Sequence, residues 1–152
     1  MLPIKKILCP IDFSEASLEG LKNANELTEH FSAELILFYV VSPLPSIPGS
    51  TAPTGFHIPA VLEEIDISTK NQIKELKIEY ISNDIKSKEI VVIGDPPTEI
   101  VKRAANDNVD VIVMSTHGQS GWKRLVCGSV TEKVIRMAEC PVLTIRESKE
   151  NK

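Results

Sequence analysis

Five short apolar runs, separated by segments of helical periodicity, constrain the fold of this chain more than any other feature of its sequence. The run ELILFYVV at 34–41 is almost unbroken and rich in β-branched and aromatic residues, as expected of a strand that is buried on both faces. Similar runs predict strands at 4–11, 89–93, 109–114 and 141–145. Strands of this character need helices on both faces of the sheet to cover them.

The segments between the runs predict four helices. Ser14 is a suitable N-cap for the first, in which apolar residues recur at helical spacing as far as Ser32. The others are predicted at 61–84, 98–106 and 129–139, and Thr98 and Ser129 are suitable caps for the last two. The resulting order, β-α-β-α-β-α-β-α-β, predicts the α/β class: a single open five-stranded parallel sheet with helices on both faces, of Rossmann-like architecture.

Length and composition predict one domain in a reducing compartment. The 152 residues fit a single domain, with a Pro-rich loop at 42–59 and a polar tail at 147–152. The net charge of −4 disfavours nucleic acid as the main partner. The three cysteines form no CxxC pair, which favours free thiols over a disulfide framework or structural zinc site. Because neither a signal peptide nor a membrane span is evident, we expect a cytoplasmic protein that does not contact a membrane.

The stretch 109–131 is the first candidate for a binding site. It contains an apolar strand, a loop with Gly118 and Gly121, and a helix that begins near Gly128 and Ser129. Glycines allow the backbone to approach a ligand closely, and the first N–H groups of a helix attract anions. The pattern fits a phosphate site, and it also fits an ordinary connection between a strand and a helix.

Other familiar motifs are absent from the sequence. There is no G-x-x-x-x-G-K-[ST] loop, no G-x-G-x-x-G after the first strand and no G-x-S-x-G. His30, His57 and His117 show no metal-ligand spacing, so no metal-binding side chains are predicted. Asp12 follows the first strand, where it either contacts a ligand or helps to cap the next helix. His117 either contacts a ligand or holds the glycine loop.

Several of these segments together resemble the universal stress protein family. The nucleotide-binding branch of that family carries G-x2-G-x9-G-[ST] after its fourth strand, and here Ser115 stands at the first glycine while Gly118, Gly128 and Ser129 match the rest in register. The opening CPIDFSEAS, the GDP at 94–96 and the ending CPVLTIR are also similar to family patterns. The resemblance covers residues 3–146 and identifies the chain as a member of the ATP-binding branch.

The resemblance implies a sheet of order 3-2-1-4-5 and a homodimer that pairs through the fifth strand. It also implies an ATP-binding module of the stress response or of signalling, with at most slow hydrolysis and no catalytic residue. Mg²⁺ would be held through the phosphates and water rather than by protein side chains. Carried over by position, the residues that bind the nucleotide are Pro10, Ile11, Asp12, Val40, Met114, Ser115, Gly118, Gly128, Ser129, Val130 and Thr131.

Two other functions are compatible with the same sequence. One is a nucleotide hydrolase or nucleotidyl transferase, in which Asp12 and His117 would carry the chemistry. The other is an interaction module that works through its dimer and the Pro-rich loop and binds no nucleotide. Ser115 bears on the choice, because a side chain at the position of the motif glycine limits φ and adds a Cβ beside the ligand.

Overall fold

A computed structural model describes residues 3–42, 58–116 and 128–146, with the backbone alone for 58–66. The strands and helices alternate from one end of the chain to the other. They are β1 (Lys6–Ile11), α1 (Glu15–Phe31), β2 (Glu34–Val41), α2 (Ile58–Tyr80), β3 (Lys86–Ile93), α3 (Pro96–Asn106), β4 (Val111–Ser115), α4 (Ser129–Met137) and β5 (Val142–Ile145). The predicted tail at 147–152 and most of the predicted loop at 42–59 lie outside the described residues.

The strands form one parallel sheet in the order β3-β2-β1-β4-β5. This confirms both the fold class and the strand order that the family resemblance implies. β1 lies at the centre, so the chain winds outward in one direction through β2 and β3 and then in the other through β4 and β5. The carboxyl ends of all five strands consequently lie along one edge of the sheet.

Two hydrophobic cores cover the two faces of the sheet. Alternate residues along each strand point to opposite faces, so Cys9 and Val113 belong to one core while Leu8 and Ile112 belong to the other. Helices α1 and α2 close the first core with Leu21 and Ile73, and helices α3 and α4 close the second with Ile100 and Val134. This double cover explains why the strands in the middle of the sheet, β1, β2 and β4, are predominantly apolar. Within the described residues, no helix combines the length and the apolar character needed to cross a bilayer.

The N-caps of the last two helices differ from the prediction. Asp95 is the N-cap of α3, and Thr98 lies in the first turn, where its hydroxyl donates to Asp95 Oδ2 at 2.6 Å. α3 begins earlier than predicted because Pro96 and Pro97 occupy its first turn, where no intrahelical N–H bond is needed. In α4 the N-cap is Gly128, and Ser129 is the first helical residue rather than the cap.

Other element boundaries shift for reasons of exposure. β3 begins at Lys86, three residues before the prediction, because an edge strand tolerates exposed polar residues such as Lys86 and Lys88. α2 runs over Ile58–Tyr80 rather than 61–84, so the last two residues assigned to the Pro-rich loop are helical. Ile135, expected on the buried side of α4, is 48% exposed.

Candidate functional site

A cleft of about 460 Å³ opens at the carboxyl ends of the strands, and we call it the carboxyl-end cleft. It lies where the chain changes its winding direction, between β1 and β4. The register of these two strands pairs Ile7 with Val111 and Leu8 with Ile112 and extends no further, although both strands continue. Pro10 has no N–H to offer, and it lies in the part of β1 that pairs with β2 but has no partner in β4. The two strands therefore part where parallel α/β sheets bind their ligands.

The cleft brings together almost all of the residues that the resemblance assigns to the nucleotide. Those that line it are Pro10, Ile11, Asp12, Val40, Met114, Ser115, Gly128, Ser129, Val130 and Thr131. The remaining one, Gly118, lies outside the described residues, as does His117. Val41 and Ser42, which follow Val40 at the end of β2, also line the cleft, and the sequence interpretation missed Ser17, Phe38, Tyr39, Pro96 and Ile100. Most of these residues lie at the carboxyl ends of strands or in the first turns of the helices that follow them. The strand order alone is enough to identify this edge of the sheet as the location of the cleft.

Asp12 closes a tight turn between β1 and α1. Its Oδ1 accepts the backbone N–H of Ser14 at 3.0 Å and the Ser14 hydroxyl at 2.5 Å. Ser14 in turn is the N-cap of α1, where its Oγ accepts the N–H of Ser17 at 3.2 Å. The carboxylate thus supports the cap and faces the cleft, so the two roles left open for Asp12 are compatible.

Phe13 and Tyr39 form an aromatic pair beside this turn. Phe13 has a φ of 62°, which is an unusual conformation for a bulky residue and costs about 1–2 kcal/mol. Its ring centroid lies 4.9 Å from that of Tyr39. Burial and the nearby Asp12 carboxylate raise the pKa of Tyr39, so its phenol stays protonated at neutral pH. The turn therefore packs Phe13 against Tyr39, and both Asp12 and Tyr39 are among the residues that line the cleft.

The first turn of α4 forms the opposite wall of the cleft. Its first intrahelical bond joins the Glu132 N–H to the Gly128 carbonyl, so the N–H groups of Ser129, Val130 and Thr131 have no partner within the helix. Gly128 has a φ of −55°, which any residue can adopt. The backbone conformation at residue 128 therefore does not require glycine. The absence of a side chain there leaves room beside the N–H groups of 129–131.

Ser115 causes no backbone strain at the position of the missing motif glycine. It is the last residue of β4, it is 8% exposed, and it is not among the residues with positive φ. Its backbone also packs closely against α1, because a Cβ added at Gly20 would lie 3.3 Å from the Ser115 nitrogen. The departure from the family motif is therefore tolerated by the strand conformation.

The two ends of the cleft differ in polarity. Phe38, Val40 and Ile100 form an apolar region near the first turn of α3, which begins with two prolines and lacks two N–H donors. At the α4 end lie hydroxyls and backbone N–H groups. Among the described lining residues Asp12 is the only charged side chain, and no cluster of three metal-ligating side chains occurs in the described part of the chain. The cleft suits a ligand with one flat apolar end and one anionic end.

Nothing in the described part of the cleft provides an activated nucleophile. Cys9 lies in β1 but is fully buried, and burial raises the pKa of its thiol to about 12. A protonated buried thiol is inert.

Comparison with known proteins supports the same family. The model described as "Universal stress protein family" matches residues 3–146. Universal stress protein MJ0531 of Methanocaldococcus jannaschii is 34% identical over 145 residues, which cover 95% of this chain and 84% of that protein.

Two solved structures show a similar fold. The structure of hypothetical protein MJ0577 has a TM-score of 0.76 at 32% identity, covering 97% of this chain and 99% of that one. A universal stress protein in complex with cAMP has a TM-score of 0.66 at 20% identity, covering 95% and 98% of the two chains. At that identity the second likeness concerns the fold alone.

Proposed function

Because this chain belongs to the universal stress protein family, we propose that it binds an adenine nucleotide, in the first place ATP, in the carboxyl-end cleft. The observation that carries the proposal is the polarity of this cleft, which is apolar beside Val40 and, at the first turn of α4, has N–H donors without a partner within the helix. A nucleotide has the same polarity, with a flat base at one end and phosphates at the other. The complex of a relative in fold with cAMP supports an adenine nucleotide as the ligand class.

In the proposed complex the base lies between Val40 and Ile100, and the ribose lies near Asp12. The phosphates lie against Gly128 and the N–H groups of 129–131. The remaining predicted contacts are Pro10, Ile11, Met114, Ser115 and, outside the described residues, Gly118. The two prolines that open α3 favour this orientation over its reverse, since that helix has fewer N–H groups to offer to phosphate.

We include Mg²⁺ as a cofactor carried by the nucleotide. Asp12 is the only carboxylate among the described lining residues, which is too little for a protein-built site. Mg²⁺ normally keeps several waters and binds phosphate oxygens, so the phosphates themselves would hold it. The ion would offset part of the phosphate charge in a cleft whose described lining contains no cationic side chain.

We further propose that the protein is a cytoplasmic stress-response or signalling module rather than an efficient hydrolase. A general base must reach the attacking water, and the Asp12 carboxylate already accepts two hydrogen bonds from Ser14. Slow or no turnover follows, and the bound state itself would be the signal. The homodimer that the family resemblance implies would present this state to partners.

Calorimetric titration of the purified protein with ATP and Mg²⁺ tests the proposal, with Gly128→Val as the variant. Because Gly128 has an ordinary φ, valine adds a side chain to the cleft wall without forcing the backbone. We expect wild-type binding and at least tenfold weaker binding by the variant, whose thermal midpoint should stay close to that of the wild type. Absence of wild-type binding at millimolar ATP would overturn the proposal. Titration with GTP and adenosine establishes whether the base or the phosphates dominate.

A further inference from the structure

Thr131 uses its side chain in a different way from the other residues at the first turn of α4. It is 4% exposed, and its hydroxyl donates to the backbone carbonyl of Ser115 at 2.9 Å. A threonine hydroxyl has one proton to donate. That proton is committed to the end of β4, so Thr131 can offer a phosphate only its backbone N–H.

This bond anchors the start of α4 without occupying any N–H group of the helix. In α1 the Ser14 side chain accepts the N–H of Ser17, which occupies one of the free donors of that helix. In α4 the N-cap is Gly128, which has no side chain to accept such a bond. Instead the start of the helix is attached to the last residue of β4, Ser115, by the Thr131 hydroxyl, and to the residue after it by the bond from the Gly128 N–H to the Thr116 carbonyl at 2.6 Å. α4 is therefore held in place while its first N–H groups stay available.

We propose that Thr131 is a positioning residue for phosphate binding, acting through the backbone rather than through contact of its hydroxyl with the ligand. Thr131 lies three residues after the N-cap, so its side chain fixes the rotation of the first turn about the helix axis. Fixing that rotation aims the N–H groups of 129–131 at one point in the cleft. This inference rests on the proposed function and adds the device that orients its phosphate-binding element.

The proposal predicts a difference between ligands that carry phosphates and ligands that lack them. Adenosine would occupy the apolar region near Val40 and Ile100, away from the first turn of α4. Loosening that turn should then weaken ATP and ADP binding and leave adenosine binding unchanged. A purely structural role of Thr131 would weaken all three ligands equally.

The experiment compares wild type, Thr131→Val and Thr131→Ser by calorimetry with ATP, ADP and adenosine. Valine keeps the shape and removes the hydroxyl, whereas serine keeps the hydroxyl. We expect the Kd for ATP to rise about fivefold in Thr131→Val, the factor of one net hydrogen bond. The Kd in Thr131→Ser should stay within about twofold of the wild type, and adenosine binding should be unchanged in both. Faster hydrogen exchange of the Glu132 N–H in ligand-free Thr131→Val would show directly that the turn has loosened.

The outcomes separate the two proposals. Wild-type protein that binds ATP, together with Thr131→Val that binds it equally well, overturns the positioning role alone. Equal weakening for ATP and adenosine also overturns it. Failure of the wild type to bind any of the ligands overturns the proposed function and the positioning role with it. Should Thr131→Val not fold, Thr131→Ala serves as the same test, because it only removes atoms.

Discussion

At the scale of single residues, Gly20 determines how closely α1 approaches the cleft. It lies in the buried side of α1, and a Cβ built there would be 3.3 Å from the nitrogen of Ser115 and 3.6 Å from the carbonyl carbon of Met114. Both neighbours are backbone atoms of the fully buried strand β4, so neither can move away as a flexible side chain would. Glycine within a helix lowers helix stability by about 1 kcal/mol relative to alanine, and here close packing explains its presence.

We therefore expect Gly20→Val to destabilise the protein despite its better helix propensity. Overpacking against backbone costs roughly 1–3 kcal/mol, so the free energy of unfolding should fall by about 2 kcal/mol in urea titrations. The matched control is Glu26→Val in the same helix, because Glu26 is exposed and the same side chain meets only solvent there. Losses of equal size in the two variants would contradict the packing argument.

Single residues also show the limit of what the sequence predicts. Asp12, Val40 and Gly128 were assigned to one site by family position, and the sheet brings them to one cleft. Tyr39 and Phe13 were not assigned, because their pairing depends on a positive φ at Phe13 that no sequence pattern signals. Phenylalanine rarely adopts a positive φ by itself, so packing with the surrounding residues must hold Phe13 in this conformation.

At the scale of elements, two of the helices that border the cleft, α1 and α4, begin in opposite ways. α1 has a side-chain cap in Ser14. The Ser14 hydroxyl accepts the backbone N–H of Ser17 and donates its proton to the Asp12 carboxylate. α4 has glycine at the equivalent position and is attached through its third residue, Thr131. The first arrangement satisfies donors of the helix internally, and the second leaves them for a ligand.

Substitution of the two serines near these helix starts distinguishes the two arrangements. Ser14→Ala removes the cap and one support of Asp12, so we expect a loss of about 1 kcal/mol in the free energy of unfolding. Ser129→Ala should change it by less than about 0.5 kcal/mol, because Ser129 is exposed and follows the cap. Both values follow from chemical denaturation monitored by circular dichroism. A larger loss for Ser129→Ala would indicate that Ser129 caps α4 after all.

The predicted elements were correct in kind and order, and the errors concentrate at their ends. The sequence predicts a start of β3 after Lys88, because the apolar pattern does not extend further towards the N-terminus. The strand itself begins at Lys86, since an edge strand can include polar residues. Ser129 was a reasonable cap by residue type, but hydrogen bonds from Gly128 to Thr116 and from Thr131 to Ser115 determine where α4 starts. Such bonds join residues that are distant in the sequence, so helix propensity, which depends on neighbouring residues only, cannot predict them.

At the scale of the whole molecule, the two edges of the sheet differ in character. β3 carries exposed Lys86, Lys88 and Glu89 over its amino half, and charged side chains of this kind discourage pairing with another strand. β5 is short and has no charged residue, and its Leu143 is 40% exposed. Ile135 and Met137 of the preceding helix are also exposed. A short edge strand without charged residues, with an exposed leucine, favours β5 as the surface for a second copy of the chain.

We expect the protein to be a dimer with twice the 16.8 kDa chain mass, and Leu143→Lys to weaken it. A lysine in the middle of β5 would desolvate its charge or prevent strand pairing, so the dimer dissociation constant should rise at least tenfold, equivalent to about 1.4 kcal/mol. Sedimentation equilibrium measures this constant directly.

Ile93→Lys is the matched control, because Ile93 is 52% exposed at the end of the opposite edge strand. Monomeric wild-type protein at micromolar concentration would contradict the dimer, and a stronger effect of Ile93→Lys would place its interface at the opposite edge of the sheet. Thr116 donates its N–H to the Ile145 carbonyl of β5 and accepts the N–H of Gly128, which lines the cleft. The same samples with ATP therefore show whether the nucleotide changes the strength of the dimer.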